Sequence, residues 1–240
     1  MSTIDPVARN RHADPLIDLA QWLRATEAHL PAAVIGSTGL RSTGLAAARS
    51  VDLPTTAEEA IALGNALADE GVGLLVLASD EQPIVDRALI ALLTSKDAAR
   101  VAPRYRPDAK HVREWQEQVE SIAHTSWAHR NLLSTMDRIA EQIGSPRVHA
   151  MSHLILTAAE RRTPMLISGV AAAAGALIAQ RLDRRSVGWL ALTSRTGDLA
   201  VESAQERLAL PSVFAAKLTD EIKTSEIALA IAQVSALLAL

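Results

Sequence analysis

The residues best placed for chemistry in this 240-residue sequence are three short polar runs, each of which follows an apolar stretch. Where a strand leads into a helix, the helix N-terminus presents backbone N–H groups and a positive dipole end, which suits an anion such as phosphate. An arginine at such a turn can add a bidentate contact. The same residue types also cap helices, so a purely structural role is the alternative. The runs are Ser79-Asp80-Glu81, Ser168-Gly169 and Ser194-Arg195-Thr196-Gly197-Asp198.

Two of these residues, Asp80 and Glu81, are adjacent acids just ahead of Pro83. A carboxylate there can act as a general base or as a metal ligand. Acids at the start of a helix are also favoured by the helix dipole, and we favour this structural interpretation.

A histidine pair, His149 and His153, has the four-residue spacing that brings two imidazoles to one zinc ion on a helix. The residue after His149 is alanine, so the H-E-x-x-H motif is absent. No third ligand is obvious, although His124 and His129 lie upstream. We therefore predict no metal site, and we expect both histidines at the surface or at an interface.

A basic stretch lies between residues 100 and 113 and offers a second place to hold a phosphate or an acidic partner surface. Charge runs more often face water, so a solvated loop is the favoured alternative. The basic residues are Arg100, Arg104, Arg106, Lys110 and Arg113.

Composition excludes several classes of function. The chain has no cysteine, so disulfides, thiolate metal sites and cysteine nucleophiles are ruled out. A net charge of −3 indicates no general affinity for nucleic acid. The longest apolar run, 165–179, is shorter than the roughly 20 residues of a membrane span, and residues 1–15 lack the apolar core of a secretory signal. We expect a cytoplasmic protein without a cofactor.

The elements that must position these residues alternate along the chain. Unbroken apolar runs indicate strands buried on both faces, as in a parallel sheet. Thr56 and Glu59 form a capping box before a helix that Gly71 ends. Residues 37–50 and 100–107 are expected to be loops. Strands are predicted over 32–36, 72–78, 164–168 and 187–193, and helices over 14–29, 56–70, 83–94, 108–143 (one long or two shorter), 148–162, 169–182, 199–208 and 220–240.

This alternation predicts an α/β fold, a three-layer αβα arrangement with a mainly parallel sheet. We expect one domain over residues 1–240. Its core would span about 32–215, and the N- and C-terminal helices, about 14–30 and 218–240, would form a small helical cap.

One segment carries a family resemblance. Residues 159–169 have the sequence A-E-R-R-T-P-M-L-I-S-G, and an alanine-rich helix follows that ends in Arg181-Leu182. This segment resembles the nicotinate-nucleotide:dimethylbenzimidazole phosphoribosyltransferase family, which shows R-R-T-P-hydrophobic-L-D-G and a helix ending in A-x-R-L. Trp189 matches a tryptophan-bearing strand, and Ser194-Arg195-Thr196 replaces the family's H-R-S. Residues 66–77 and 18–23 are similar to further family elements, so the resemblance covers most of the chain from about residue 55.

The resemblance implies a Rossmann-like transferase of cobalamin biosynthesis that dimerises. The family moves phosphoribose from nicotinate mononucleotide to dimethylbenzimidazole. It uses a glutamate in a G-E-G-T-G loop as base and a glycine-rich G-[DE]-x-G-I-G-N-T-T loop for the phosphate. The candidate catalytic residue is Glu221, which, like Glu226, could substitute for that base if the loop is rearranged. The candidate substrate-binding residues are Ser79, Asp80, Glu81, Ser168, Gly169, Ser194, Arg195 and Thr224.

The sequence departs from the family at the residues that carry its chemistry. Residues 78–84 replace the phosphate loop and contain no glycine, which hinders close backbone approach. Ile222 falls at the position of the base, and Glu221 lies one residue early. We expect lost or altered catalysis, as in a pseudoenzyme. The alternatives are an enzyme with a modified site, a dimerisation or regulatory subunit that pairs with itself or with a full-length paralogue, and a small-molecule or nucleotide binder.

Overall fold

The computed structural model describes residues 15–36, 48–79, 83–104, 109–194, 197–214 and 224–239. Within these ranges the chain forms one six-stranded sheet flanked by helices, with the strand order β2-β1-β3-β4-β5-β6. Every neighbouring pair is parallel, so the predicted α/β class is confirmed. The strands are β1 (Ala32–Gly36), β2 (Ala48–Asp52), β3 (Leu74–Ala78), β4 (Met165–Ser168), β5 (Leu190–Ser194) and β6 (Ser212–Phe214).

Nine α-helices lie in the described ranges, together with short 3-10 turns at 98–100, 130–134 and 184–189. The predicted helix at 56–70 is capped as expected, because the Glu59 N–H donates to Thr56 Oγ1 at 3.2 Å and Gly71 has a φ of +75°. The helices are α1 (Pro15–Ala25), α2 (Ala57–Asp69), α3 (Ile84–Thr94), α4 (Ala109–Ala128), α5 (Ile139–Gln142), α6 (Pro146–Glu160), α7 (Val170–Leu182), α8 (Leu199–Leu208) and α9 (Thr224–Leu238).

Two apolar clusters, one on each face of the sheet, make the three layers. On one face, Ile35, Leu75 and Ile167 pack among residues of α2, α3, α6, α7 and α8. On the other, Val34, Val76 and Leu166 pack against α1 and α9. The terminal helices predicted as a cap therefore form the layer over the second face. The division into a core and a cap within one domain stays a prediction. No helix in the described ranges is both long and apolar enough to cross a membrane.

Three predicted boundaries are wrong. Residues 48–52 form edge strand β2, which overlaps the end of the loop predicted over 37–50. It was missed because an edge strand with exposed Arg49 and Ser50 has no apolar run. Strand β5 begins at Leu190 rather than at residue 187, since Arg184–Trp189 is a 3-10 turn capped by Asp183. Trp189 consequently precedes the strand. Strand β6 was not predicted and has three residues.

The segment 108–143 was predicted to be one long or two shorter helices. It contains one long helix in its first half, whereas most of its second half is not α-helical. Helix α4 ends at Ala128, and only the four residues of α5 are α-helical beyond it. Between them, the hydroxyls of Ser134 and Thr135 donate to the carbonyls of Asn131 and Leu132, each at 3.1 Å. Such side-chain bonds to the local backbone compete with helix propagation, although the apolar spacing alone fits a helix.

Candidate functional site

The strand order places a topological switch point between β1 and β3. The chain steps from β1 outward to β2, and every later strand is added on the opposite side, beginning with β3 next to β1. In open parallel sheets ligands bind outside the carboxyl ends of the strands at such a point. Gly36 and Ala78 end these two strands and pair in register. The missed strand β2 is the reason that this position was not visible in the sequence.

Three of the predicted site serines meet at the carboxyl edge of the sheet. Ser79 follows β3, Ser168 ends β4 and Ser194 ends β5. The Ser79 N–H donates to the Ser168 carbonyl at 3.1 Å, and Ala78 pairs with Ser168 in register. All three side chains are buried. The structure thus confirms that these turns are neighbours, whereas a role in binding substrate stays a prediction.

Two of the serine hydroxyls are unsatisfied. Ser79 Oγ and Ser168 Oγ are buried and have no hydrogen-bond partner among the residues that the structure describes. Native proteins pair most buried polar atoms, so two orphans on adjacent strand ends call for an explanation. Gly169 follows directly, with φ +95° and ψ 169°, a backbone conformation essentially restricted to glycine. It starts helix α7, whose first amide groups face the same edge of the sheet.

Four other predicted site residues lie outside the described ranges: Asp80, Glu81, Arg195 and Glu221. Thr224 begins helix α9, and nothing further is described for it. Their assignment to substrate binding or catalysis stays a prediction.

A buried ion pair close to these turns was missed in the sequence. The Arg87 guanidinium in α3 is 1% exposed and donates to both carboxylate oxygens of Asp198, at 3.1 and 2.6 Å. It also donates to the carbonyl of Val101 at 2.6 Å. Asp198 in turn accepts from the Ala200 N–H at 2.9 Å and caps α8. The two charges are 111 residues apart in the chain, so no local spacing could reveal them.

The described residues of the basic stretch differ in their contacts. Arg104 donates through Nε to the Gly197 carbonyl and through Nη2 to Glu202 at 3.0 Å. Arg104 is nevertheless exposed, as the solvated-loop interpretation expects, so its two contacts do not exclude that interpretation. Arg100 and Arg113 are exposed. Arg106 lies outside the described residues, and of Lys110 only its place in α4 is described.

The histidine pair is more buried than expected. His149 and His153 lie on α6, and their rings contact each other edge to face with centroids 4.6 Å apart. The Nε2 atom of His149 is 3.5 Å from Oε1 of Glu141. His149 is buried, so a surface position is wrong for it. Among the described residues no group of three or more histidine and acidic side chains could hold a metal ion.

Stability is expected to fall as the pH drops below about 6.5, because of His153. Burial, and then the neighbouring His149, lower the pKa of His153 from 6.5. The unfolded chain then binds more protons than the folded one between the two pKa values, so acidification favours unfolding. Urea denaturation at pH 7.5 and 5.5 measures this change. The His153→Gln variant should lose part of the pH dependence and His124→Gln, which changes an exposed histidine, should keep it all. Equal pH dependence in all three proteins contradicts the assignment.

Known proteins are similar to this chain in sequence and in fold. A family model described as Phosphoribosyltransferase matches residues 53–225. The nicotinate-nucleotide–dimethylbenzimidazole phosphoribosyltransferase of Streptomyces coelicolor is 28% identical over 203 residues, which is 82% of this chain and 56% of that protein. The Streptomyces avermitilis protein of the same name is 30% identical over 160 residues, or 64% of this chain and 42% of that one. This chain thus spans about half the length of the curated relatives it matches.

Solved structures share the fold. A crystal structure of CobT from Thermus thermophilus superposes with a TM-score of 0.65 and 16% identity, over 96% of this chain and 91% of that one. A second structure, of the phosphoribosyltransferase from the same organism, gives a TM-score of 0.67 over 96% and 90% of the two chains. At this identity the likeness concerns the fold alone.

Proposed function

Because this chain belongs to the nicotinate-nucleotide:dimethylbenzimidazole phosphoribosyltransferase family, we propose that it binds a ligand of that family's kind without catalysing efficient phosphoribosyl transfer. The ligand is nicotinate mononucleotide or a benzimidazole-like base. The binding position is the carboxyl edge of the sheet, where β3, β4 and β5 end. Glu221 is the one residue that we assign a catalytic role if any transfer remains.

The observation that carries this proposal is a pair of buried hydroxyls, Ser79 Oγ and Ser168 Oγ, that find no hydrogen-bond partner in the described part of the chain. Burial of a hydroxyl without a hydrogen bond is unfavourable, so their retention at a strand edge favours a partner that arrives with a ligand. A phosphate or ribose oxygen is such a partner. Gly169 supports this interpretation, since a residue without a Cβ atom permits close approach of a ligand to the backbone at the start of α7.

The replaced chemical groups support the loss of catalysis. Ile222 stands where the family's glutamate base is expected, and an alkyl side chain accepts no proton. The segment 78–84 has no glycine with which to bring backbone amides around a phosphate. Of the charged groups near the described turns, Arg87 and Asp198 are committed to each other. The retained contacts are therefore suited to holding a ligand rather than to moving a proton.

Removing the two hydroxyls should weaken ligand binding without weakening the fold. For Ser79→Ala and Ser168→Ala we expect affinity for nicotinate mononucleotide to fall about 3- to 10-fold each, the effect of one hydrogen bond. Unfolding free energy should stay level or rise, because an unsatisfied group is removed. Calorimetric titration and urea denaturation measure the two quantities.

The matched control is Ser152→Ala. Ser152 is equally buried, but its hydroxyl donates to the His149 carbonyl at 2.7 Å. Its removal should lower stability by about 1 kcal/mol and leave affinity unchanged. If both site variants are destabilised like the control and bind as the wild type does, the strand-end site is wrong.

A second candidate function is a dimerisation or regulatory subunit that pairs with itself or with a full-length paralogue. Helix α9 favours this alternative, because residues 227–239 contain no charged side chain and Leu229 is 51% exposed. A contiguous surface without charged side chains often marks a place where another chain packs. Light scattering of the purified chain separates the two: a monomer that binds nicotinate mononucleotide favours the first function, and a stable dimer without ligand affinity favours the second.

A further inference from the structure

The first turn of α3 holds two buried charged residues that face different parts of the molecule. Asp86 is 2% exposed and accepts from Ser145 Oγ, at 2.5 Å, where helix α6 begins. Arg87 is 1% exposed and binds Asp198, which caps α8. Helix α3 directly follows the turn after β3, and α8 directly follows the turn after β5. One helical turn thus connects the starts of three helices at the carboxyl edge of the sheet.

The sheet order makes the connection through Arg87 significant for the site. Strand β4 lies between β3 and β5, so the ion pair joins the helix starts that follow the strands on both sides of Ser168-Gly169. The guanidinium also holds the Val101 carbonyl, and Arg104 holds the Gly197 carbonyl from the outer side. Ser203 in α8 donates to the Arg100 carbonyl at 3.3 Å. Gly197, Asp198 and the first turns of α8 are therefore held by segment 98–104 and by α3 at once.

We propose that Arg87 is a positioning residue for the strand-end site, because it sets Asp198 and the start of α8 against the start of α3. This inference rests on the proposed function, because it concerns the ligand site at that edge. Arg87 is too deeply buried to meet a ligand itself. It acts because a bidentate guanidinium–carboxylate pair has a fixed planar geometry, which an ammonium group does not reproduce.

The test uses Arg87→Lys in the full chain, with Leu154→Ala as the control. Lysine keeps the positive charge but lacks the planar guanidinium that makes the bidentate contact. Leu154 is a fully buried residue of α6, and its truncation destabilises the core elsewhere. Hydrogen exchange of the ligand-free proteins is measured first. We expect Arg87→Lys to speed exchange by about tenfold or more in peptides covering 197–204 and 98–104, while β4 and α7 stay protected. Leu154→Ala should not speed exchange selectively in these peptides.

Affinity for nicotinate mononucleotide is measured second. Arg87→Lys should weaken it by about tenfold, and Leu154→Ala should leave it unchanged at similar loss of stability. Arg104→Ala, which changes a half-exposed side chain, serves as a second variant if Arg87→Lys does not fold, with the same local exchange expected. If the wild type binds no nicotinate mononucleotide, the proposed function fails, and the exchange pattern alone still decides the positioning role. The positioning role is overturned if exchange in Arg87→Lys rises uniformly in all peptides. It is also overturned if residues 197–204 of the variant exchange at the wild-type rate.

Discussion

Replacing Asp198 by asparagine is expected to lower the free energy of unfolding by about 3 kcal/mol, since it removes the carboxylate that pairs with a buried arginine. Arg87 is 1% exposed, and both oxygens of the Asp198 carboxylate accept from its guanidinium. Asparagine caps a helix about as well as aspartate, so the N-terminus of α8 is preserved and the measured loss reports on the ion pair. Urea denaturation monitored by circular dichroism gives the value.

Removing the arginine instead of the aspartate should lower the free energy of unfolding by less. Arg87→Met removes the buried cation, and the remaining carboxylate is 17% exposed and keeps its bond from the Ala200 N–H. The double variant Arg87→Met/Asp198→Asn should therefore be more stable than Asp198→Asn alone, as is found when both members of a buried pair are replaced. A stability of Asp198→Asn within about 0.5 kcal/mol of the wild type, the range of ordinary surface changes, contradicts this account.

The layers of the fold were predictable because they depend on local patterns. Strand β3 and strand β4 are unbroken apolar runs, and Thr56, Glu59 and Gly71 mark the ends of α2 by chemistry confined to a few neighbouring residues. Strand β2 was missed since its residues are half exposed at the sheet edge and carry no period. That single omission hid the switch point between β1 and β3, and with it the reason that Ser79 lies where a ligand is expected.

The site was predictable only in part, for a related reason. The strand-end rule selects Ser79, Ser168 and Ser194 from the sequence, and the structure places them together. The contacts that hold these turns are non-local: Arg87 with Asp198, and Arg104 with Gly197, join residues about a hundred positions apart. Such pairs depend on the sheet order and on helix packing, which no short motif encodes. The resemblance, by contrast, was carried by several short motifs in the same order as in the family, among them 159–169, and the family match over residues 53–225 confirms it.

The largest expected effect on activity is the absence of rapid phosphoribosyl transfer. A positioned general base contributes about 10²- to 10⁴-fold in rate. We therefore expect this chain to transfer phosphoribose at least about 10²-fold more slowly than a full-length relative. We expect the glycine-free segment 78–84 to orient a phosphate less well than the family's loop, which would add to the deficit. Binding of nicotinate mononucleotide should persist, since the strand-end hydroxyls and Gly169 do not depend on the base. Affinity and rate are thus expected to separate, and titration beside a rate assay measures both.

The most direct test of the central claim is incubation of the purified chain with nicotinate mononucleotide and dimethylbenzimidazole, followed by chromatography for α-ribazole phosphate. The Streptomyces coelicolor relative serves as the positive control. We predict that this chain binds nicotinate mononucleotide and forms product at least about 10²-fold more slowly than the control. Product formed within tenfold of the control rate, and abolished by Glu221→Gln, would show a working base and contradict the account.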